Sequence, residues 1–193
     1  MAKLIVEPIP PVYACCDTLI TAADVASAAR FQNERRRAEH LAWRRIVRRE
    51  LGRSVAIDYN EVGAPIVDIP NIHISVAHGG GMVAVAIDQR RIGVDIESSE
   101  RNFEGAKERY MSAEEIALSD IPRWSAMAWT AKEALYKLYG YRGVELRNDI
   151  RLTHFDVYGQ HIEARFGDGT TALVDITTME DNIVVAVARL ADN

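Results

Sequence analysis

A faint internal echo sets the strongest limit on how this chain can fold. His40-Leu41-Ala42-Trp43, with Leu51-Gly52 beyond it, is answered by Ala126-Met127-Ala128-Trp129 with Leu138-Tyr139-Gly140 beyond it. Each helical segment leads to strands ending in a valine-alanine arm, Met82-Val83-Ala84-Val85-Ala86-Ile87 in one case and Ile183-Val184-Val185-Ala186-Val187-Ala188 in the other. Self-similarity on this scale predicts an α+β fold of two similar halves, residues 1–92 and 93–193, each a helix packed on a mainly antiparallel sheet. Junctions between halves favour clefts, so the active site is expected there.

Periodicity supplies the elements. A strand is expected at 4–6, helical sequence over 22–51 with an interruption near Asn33, then strands at 55–59, 72–76, 82–87 and 92–97. A short helix at 103–109 follows, then one opened by Ser112-Ala113-Glu114-Glu115, whose Ser and Glu three residues apart form a capping-box pattern. A long helix over 123–139 precedes an alternating, glycine-broken antiparallel meander over 150–190.

The 193 residues can bury a substantial core, and 48% hydrophobic with 26% charged residues is the balance of a soluble globular protein. No apolar run approaches a membrane span, and the start, MAKLIVEPIPPVY, lacks the basic head and long apolar stretch of a signal peptide. Adjacent Cys15-Cys16 offers neither a disulfide framework nor a spaced metal pair. The expectation is a cytoplasmic protein without a membrane. A formal charge of −5 argues against nucleic acid as a partner. Against that background, residues 33–49 carry seven arginines. Arg37, Arg44 and Arg48 fall on one helical stripe with Arg45 and Arg49 on its flank. That pattern reads as a solvated face, although guanidinium forks also suit phosphates.

The segment Arg91-Ile92-Gly93-Val94-Asp95-Ile96-Glu97 reads as a strand whose Ile92, Val94 and Ile96 face one way and Gly93, Asp95 and Glu97 the other. Two acids about 7 Å apart on one face can converge on one cation or simply be solvated at an edge. Downstream, Trp129, Glu133 and Lys137 in WTAKEALYK occupy one helical stripe. The plain reading is a surface Glu–Lys pair; a Glu beside a buried ring can also gain a raised pKa and act as a base. His78-Gly79-Gly80-Gly81 matches an esterase oxyanion motif, but no Gly-x-Ser-x-Gly elbow accompanies it. A glycine turn can instead bring backbone amides and His78 to a phosphate, or form a plain hairpin. A zinc site from His73 and His78 is disfavoured because alternation puts them on opposite strand faces.

Together, GVDIE, Glu115, the WxxKEAxxK helix and the histidine-glycine turn resemble the 4′-phosphopantetheinyl transferases of the long type with two fused pseudo-repeats, over about residues 34–137. The resemblance implies transfer of the phosphopantetheine arm of coenzyme A to a serine of an acyl or peptidyl carrier protein, releasing adenosine 3′,5′-bisphosphate. It implies that Asp95, Glu97 and Glu115 hold Mg²⁺, that Glu133 takes the serine proton and that Lys137 stabilises phosphate charge. It assigns His78, Arg35, Arg36 and Arg44 to phosphates of coenzyme A, with Lys132 nearby. Where the family often has Gly-Lys-Pro this chain has Gly63-Ala64-Pro65, and serines around the histidine are replaced by Ala77 and Gly79. Two other functions use the same acids: a metal-dependent phosphohydrolase, and a degenerate, non-enzymatic binder of carrier protein or nucleotide. Fused halves supply internally an interface that single-repeat relatives build by association, so a monomer is expected.

Overall fold

The structure is a computed structural model that describes residues 2–15 and 17–192, so Cys16 and its pairing lie outside the described residues. The amino-terminal half runs β1 (Lys3–Pro8), α1 (Val12–Cys15), α2 (Ala22–Ala28), α3 (Glu34–Leu51), β2 (Ile57–Tyr59), β3 (Pro65–Val67), β4 (His73–Gly79) and β5 (Met82–Asp88). The rest runs β6 (Ile92–Ser98), a 3₁₀ turn at Glu104–Arg109, α4 (Ala113–Ile116), α5 (Trp124–Tyr139), β7 (Ile150–Asp156), β8 (His161–Phe166), β9 (Thr171–Met179) and β10 (Ile183–Leu190). All strand pairs are antiparallel, in sheets ordered β1-β5-β4 and β6-β10-β9-β8-β7 plus a β2-β3 ribbon. Of the ribbon, β2 falls within the strand expected at 55–59, whereas β3 was not legible in the sequence, because three residues are too few to show a period. No helix of the described residues is long and apolar enough to cross a membrane.

Alternation explains how the layers stack. On β5, Val83, Val85 and Ile87 pack against Leu41, Trp43, Ile46 and Val47 of α3, while Ala84 and Ala86 turn to the other sheet. On β10, Val184, Ala186 and Ala188 pack beneath α5, while Ile183, Val185 and Val187 face the first sheet. The order is therefore helix, sheet, sheet, helix, the two-halved α+β arrangement expected from the echo. Each fully buried Val or Leu in these clusters contributes about 1.5–3 kcal/mol. Alanines in the middle layer let the sheets come close enough for the Ser75 hydroxyl to accept a hydrogen bond from Val94 N at 3.0 Å.

Local signals fix the helix ends. The Asn33 side chain accepts from Arg35 N and Arg36 N, starting α3 where the interruption was expected. Ser112 and Glu115 form the expected reciprocal box at α4. Gly140, at φ +66°, closes α5 in the left-handed conformation that glycine adopts without strain.

The arginine face of α3 is not solvated as the sequence suggested. Arg44 and Arg48 are 3% and 5% exposed and both meet the buried Asp24, at 3.2 and 2.5 Å. Arg45 pairs with Asp17, and Arg49 with Glu7 and Glu50. Glu7, Asp17 and Asp24 from the amino-terminal segments thus pair with four of these arginines, while the buried Nε of Arg37 has no hydrogen-bond partner among the described residues.

Candidate active site

Gly93 determines how near α5 can come to β6. A Cβ there would lie 2.0 Å from the Ala134 carbonyl oxygen and 2.8 Å from Leu138 N, so a larger residue would push the helix away. At this closeness the Trp129-Glu133-Lys137 stripe lies along the acidic face of β6. Lys137 Nζ donates to Asp95 Oδ1 at 2.8 Å and to Val94 O at 3.0 Å. Trp129 Nε1 donates to Glu97 Oε1 at 3.1 Å, and Arg101 donates to Glu97 Oε2 at 2.6 Å. Glu133 sits one turn from both Trp129 and Lys137, between the points where the helix grips the two strand acids. Partial burial, reinforced by the charges of Asp95 and Glu97 and opposed by Lys137, raises the Glu133 carboxyl above the usual range. Burial likewise raises Asp95, with Lys137 opposing and Glu97 adding to it.

A cleft of about 490 Å³ opens beside this strip and takes its walls from both halves. Asp95, Lys137, Tyr136 and Tyr141 come from the carboxy-terminal half, and Arg36, Glu39, His78, Phe31 and Trp43 from the amino-terminal one. Glu39 is 4% exposed and gathers three partners: Arg35 at 3.0 Å, Arg36 at 3.4 Å and His78 Nδ1 at 3.5 Å. Arg36 also meets His78 Nε2 at 3.3 Å. Burial lowers the His78 pKa, with Glu39 opposing and Arg36 and Lys137 adding to the drop. Burial thus favours the neutral ring, whose single N–H is on Nδ1 toward Glu39 when Nε2 accepts from Arg36. Glu39 was missed in the sequence, although its place four residues after Arg35 and four before Trp43 puts it on the inner face of α3.

The other expected site residues stand apart from the cleft. Arg44 stacks on the Trp43 ring at 4.1 Å and donates to Tyr59 Oη at 3.1 Å and to His40 Nδ1 at 3.2 Å. Burial and Arg44 push His40 down to about 4, which keeps it a neutral acceptor. Arg35 is exposed, beyond the cleft walls, and paired with Glu39. Lys132 is 0% exposed and bonds to Glu115 at 2.8 Å, Leu146 O at 2.8 Å and Ile150 O at 2.7 Å. Glu115 also accepts from Ser112 N and Leu152 N, so both its oxygens are engaged inside the protein. The structure brings Asp95, Glu97, Glu133 and Lys137 together and leaves Glu115 and Lys132 as a separate buried pair.

His78-Gly79 and Met82 close a hairpin through Gly80 and Gly81, both at positive φ (+57° and +82°), the backbone a two-residue hairpin loop requires. A Cβ at Gly79 would lie 2.1 Å from Ile96 O, so a serine has no room there.

Among the described residues, no group of three or more His, Cys, Asp or Glu side chains stands in metal-holding geometry. The donor chemistry nevertheless fits a hard divalent cation. Asp95 Oδ2 is buried with no hydrogen-bond partner, beside Glu97 on the same strand face. An unpaired buried carboxylate oxygen is costly, and a bound cation relieves that cost.

The family model described as 4′-phosphopantetheinyl transferase superfamily matches residues 91–188. The chain is 34% identical over 85 residues to 4′-phosphopantetheinyl transferase psf-1 of Bacillus pumilus, covering 40% of this chain and 36% of that protein. It is 32% identical over 96 residues to 4′-phosphopantetheinyl transferase ffp of Bacillus subtilis, covering 46% and 42%. The chain thus matches less than half the length of either relative.

Proposed function

Because this chain belongs to the 4′-phosphopantetheinyl transferase superfamily, we propose that it transfers the 4′-phosphopantetheine arm of coenzyme A to a serine of an acyl or peptidyl carrier protein. The observation that carries this reading is the grip of α5 on β6, where Trp129 and Lys137 hold Glu97 and Asp95 with Glu133 between them, next to the inter-half cleft that Asp95 and Lys137 line.

In the proposed step the serine oxygen bonds to the phosphorus that carries pantetheine. The bond from that phosphorus to the bridging oxygen breaks, and adenosine 3′,5′-bisphosphate leaves with the electron pair. Glu133 accepts the serine proton, directly or through a water, a task its raised pKa suits. Lys137 has three N–H groups, of which the bonds to Asp95 and Val94 use two. The third serves a phosphate oxygen. Arg36 and His78, joined to Glu39 across the cleft, are the groups for the nucleotide's phosphates. Asp95 and Glu97 would hold Mg²⁺, which when bound would supply positive charge to offset the negative charge of the pyrophosphate and of the leaving phosphate. Both walls of the cleft come from one chain, which supports a working monomer.

The test is purified protein with Mg²⁺, coenzyme A and a panel of apo carrier proteins, read by intact mass. A carrier gaining one phosphopantetheine group is the expected result. Coenzyme A cleaved without carrier would favour the phosphohydrolase, and binding without turnover the degenerate binder.

A further inference from the structure

Large side chains anchor the ends of the face that α5 buries, Trp124 before and Leu135 and Leu138 after, but the turns around Lys132 are lined by small ones. Ala128, Ala131 and Ala134 are all 0% exposed, and Gly93 lies directly beneath Ala134. Small residues permit close approach but interlock little, so they resist rotation of the helix weakly. Lys132, the residue before Glu133, supplies what the alanines do not. Its three N–H groups meet the Glu115 carboxylate, Leu146 O and Ile150 O. Glu115 in turn holds Ser112 N at 2.7 Å and Leu152 N at 2.8 Å. Three directional bonds from Lys132 thereby tie α5 to α4, to β7 and to the loop between α5 and β7, and Glu115 is itself fixed by its own helix cap and by β7. Stability alone is a poor account of such a pair, since apolar replacements of buried ion pairs are often neutral or better.

We propose that Glu115 and Lys132 form a clamp that fixes the rotation of α5 and so aims Glu133 at Asp95 and Glu97, both acting as positioning residues that touch neither substrate nor metal. Neighbouring helix residues project about 100° apart, so holding Lys132 sets the direction of Glu133. A rotation of about 20° would sweep a side-chain tip about 6 Å from the axis through about 2 Å. Misplacement on that scale costs about 100-fold in rate. The inference rests on Glu133 being the proton acceptor.

The experiment compares Glu115→Gln and Lys132→Met with wild-type protein, each first checked for native far- and near-UV circular dichroism. Transfer kinetics are measured alongside Mn²⁺ affinity, read by the free-ion electron paramagnetic resonance signal without substrates. The expected result is a fall in kcat of about 10- to 100-fold, with KM for coenzyme A and Mn²⁺ affinity within about twofold of wild type. Glu115→Gln keeps the size of the side chain and carries the test if Lys132→Met does not fold. Wild-type kcat in the folded variants overturns the clamp alone. So does a tenfold loss of Mn²⁺ affinity in Glu115→Gln, which would make Glu115 a metal ligand, and so does failure of both variants to fold, which would assign the pair to the fold. A wild-type protein that modifies no carrier overturns the transferase reading and the clamp with it.

Discussion

At Glu133, partial burial and the two strand acids push the carboxyl in the same direction. A base works only when ionised, so kcat/KM should rise with pH along a limb set by this group, above the ordinary glutamate value of about 4.3. Glu133→Gln should remove that limb and lower kcat by about 10²- to 10⁴-fold, with KM for coenzyme A little changed; stopped-time mass assays from pH 5 to 9 would measure both. The stability sign is the opposite of a salt-bridged acid. A carboxyl whose pKa is raised by folding penalises the fold above that pKa and stops doing so below the unfolded value of about 4.3. Metal-free Glu133→Gln should therefore melt higher than wild type near pH 7.5, and the gap should close toward pH 4. The arginines separate just as clearly. Arg36→Ala should raise KM for coenzyme A about tenfold, the effect of one charged hydrogen bond, and, because it leaves the buried Glu39 with Arg35 and His78, should also lower urea stability by about 1 kcal/mol. Arg44→Ala strips a buried acid of a partner and should cost about 3 kcal/mol of stability.

Among the elements, β6 and α5 act as one unit. The alternation that gives β6 its acidic face was legible in RIGVDIE, and the i, i+4 stripe of α5 was legible in WTAKEALYK. Their mutual register was not, because it depends on Gly93 letting the helix backbone approach and on Lys132 being held from the far side. Gly93→Ala tests the contact: its Cβ would meet the Ala134 carbonyl at 2.0 Å. The expected outcome is a loss of about 2 kcal/mol or more in urea unfolding, with transfer activity falling further than stability accounts for at temperatures where the variant is folded. Hairpin chemistry was also legible, since His-Gly-Gly-Gly between two valine-rich strands is a turn signal, whereas the lack of space for a side chain at Gly79 comes from Ile96 in another sheet.

For the whole molecule, the cleft exists because two helix-on-sheet halves stack through their sheets, and each half contributes what the other lacks. The carboxy-terminal wall brings Asp95 and Lys137; the amino-terminal wall brings Arg36, Glu39 and His78. Permanent charges on these walls cancel, two positive against two negative. The wall at Ala64 has space for a further cation. Ala64→Lys should lower KM for coenzyme A by about threefold to tenfold, the worth of one added phosphate contact of about 1 kcal/mol, without changing kcat; an unchanged KM would mean that the nucleotide's phosphates do not lie along that wall.

What the sequence by itself determined was local: which residues alternate, where helices start and stop, that two halves echo one another, and that acids on a strand and a Glu-Lys stripe on a helix are available for charge chemistry. These follow from periods of 2 and 3.6 residues and from capping groups within a few positions of each other. Only the tertiary structure decided which charges face the cleft and which are consumed inside. Arg44 and Arg48 are claimed by Asp24, 20 and 24 residues upstream, and Glu115 by Lys132 and the β7 backbone. The cause is physical: a charged side chain taken out of water must find its partner wherever the fold brings one, and that neighbour is set by how layers pack, not by spacing along the chain.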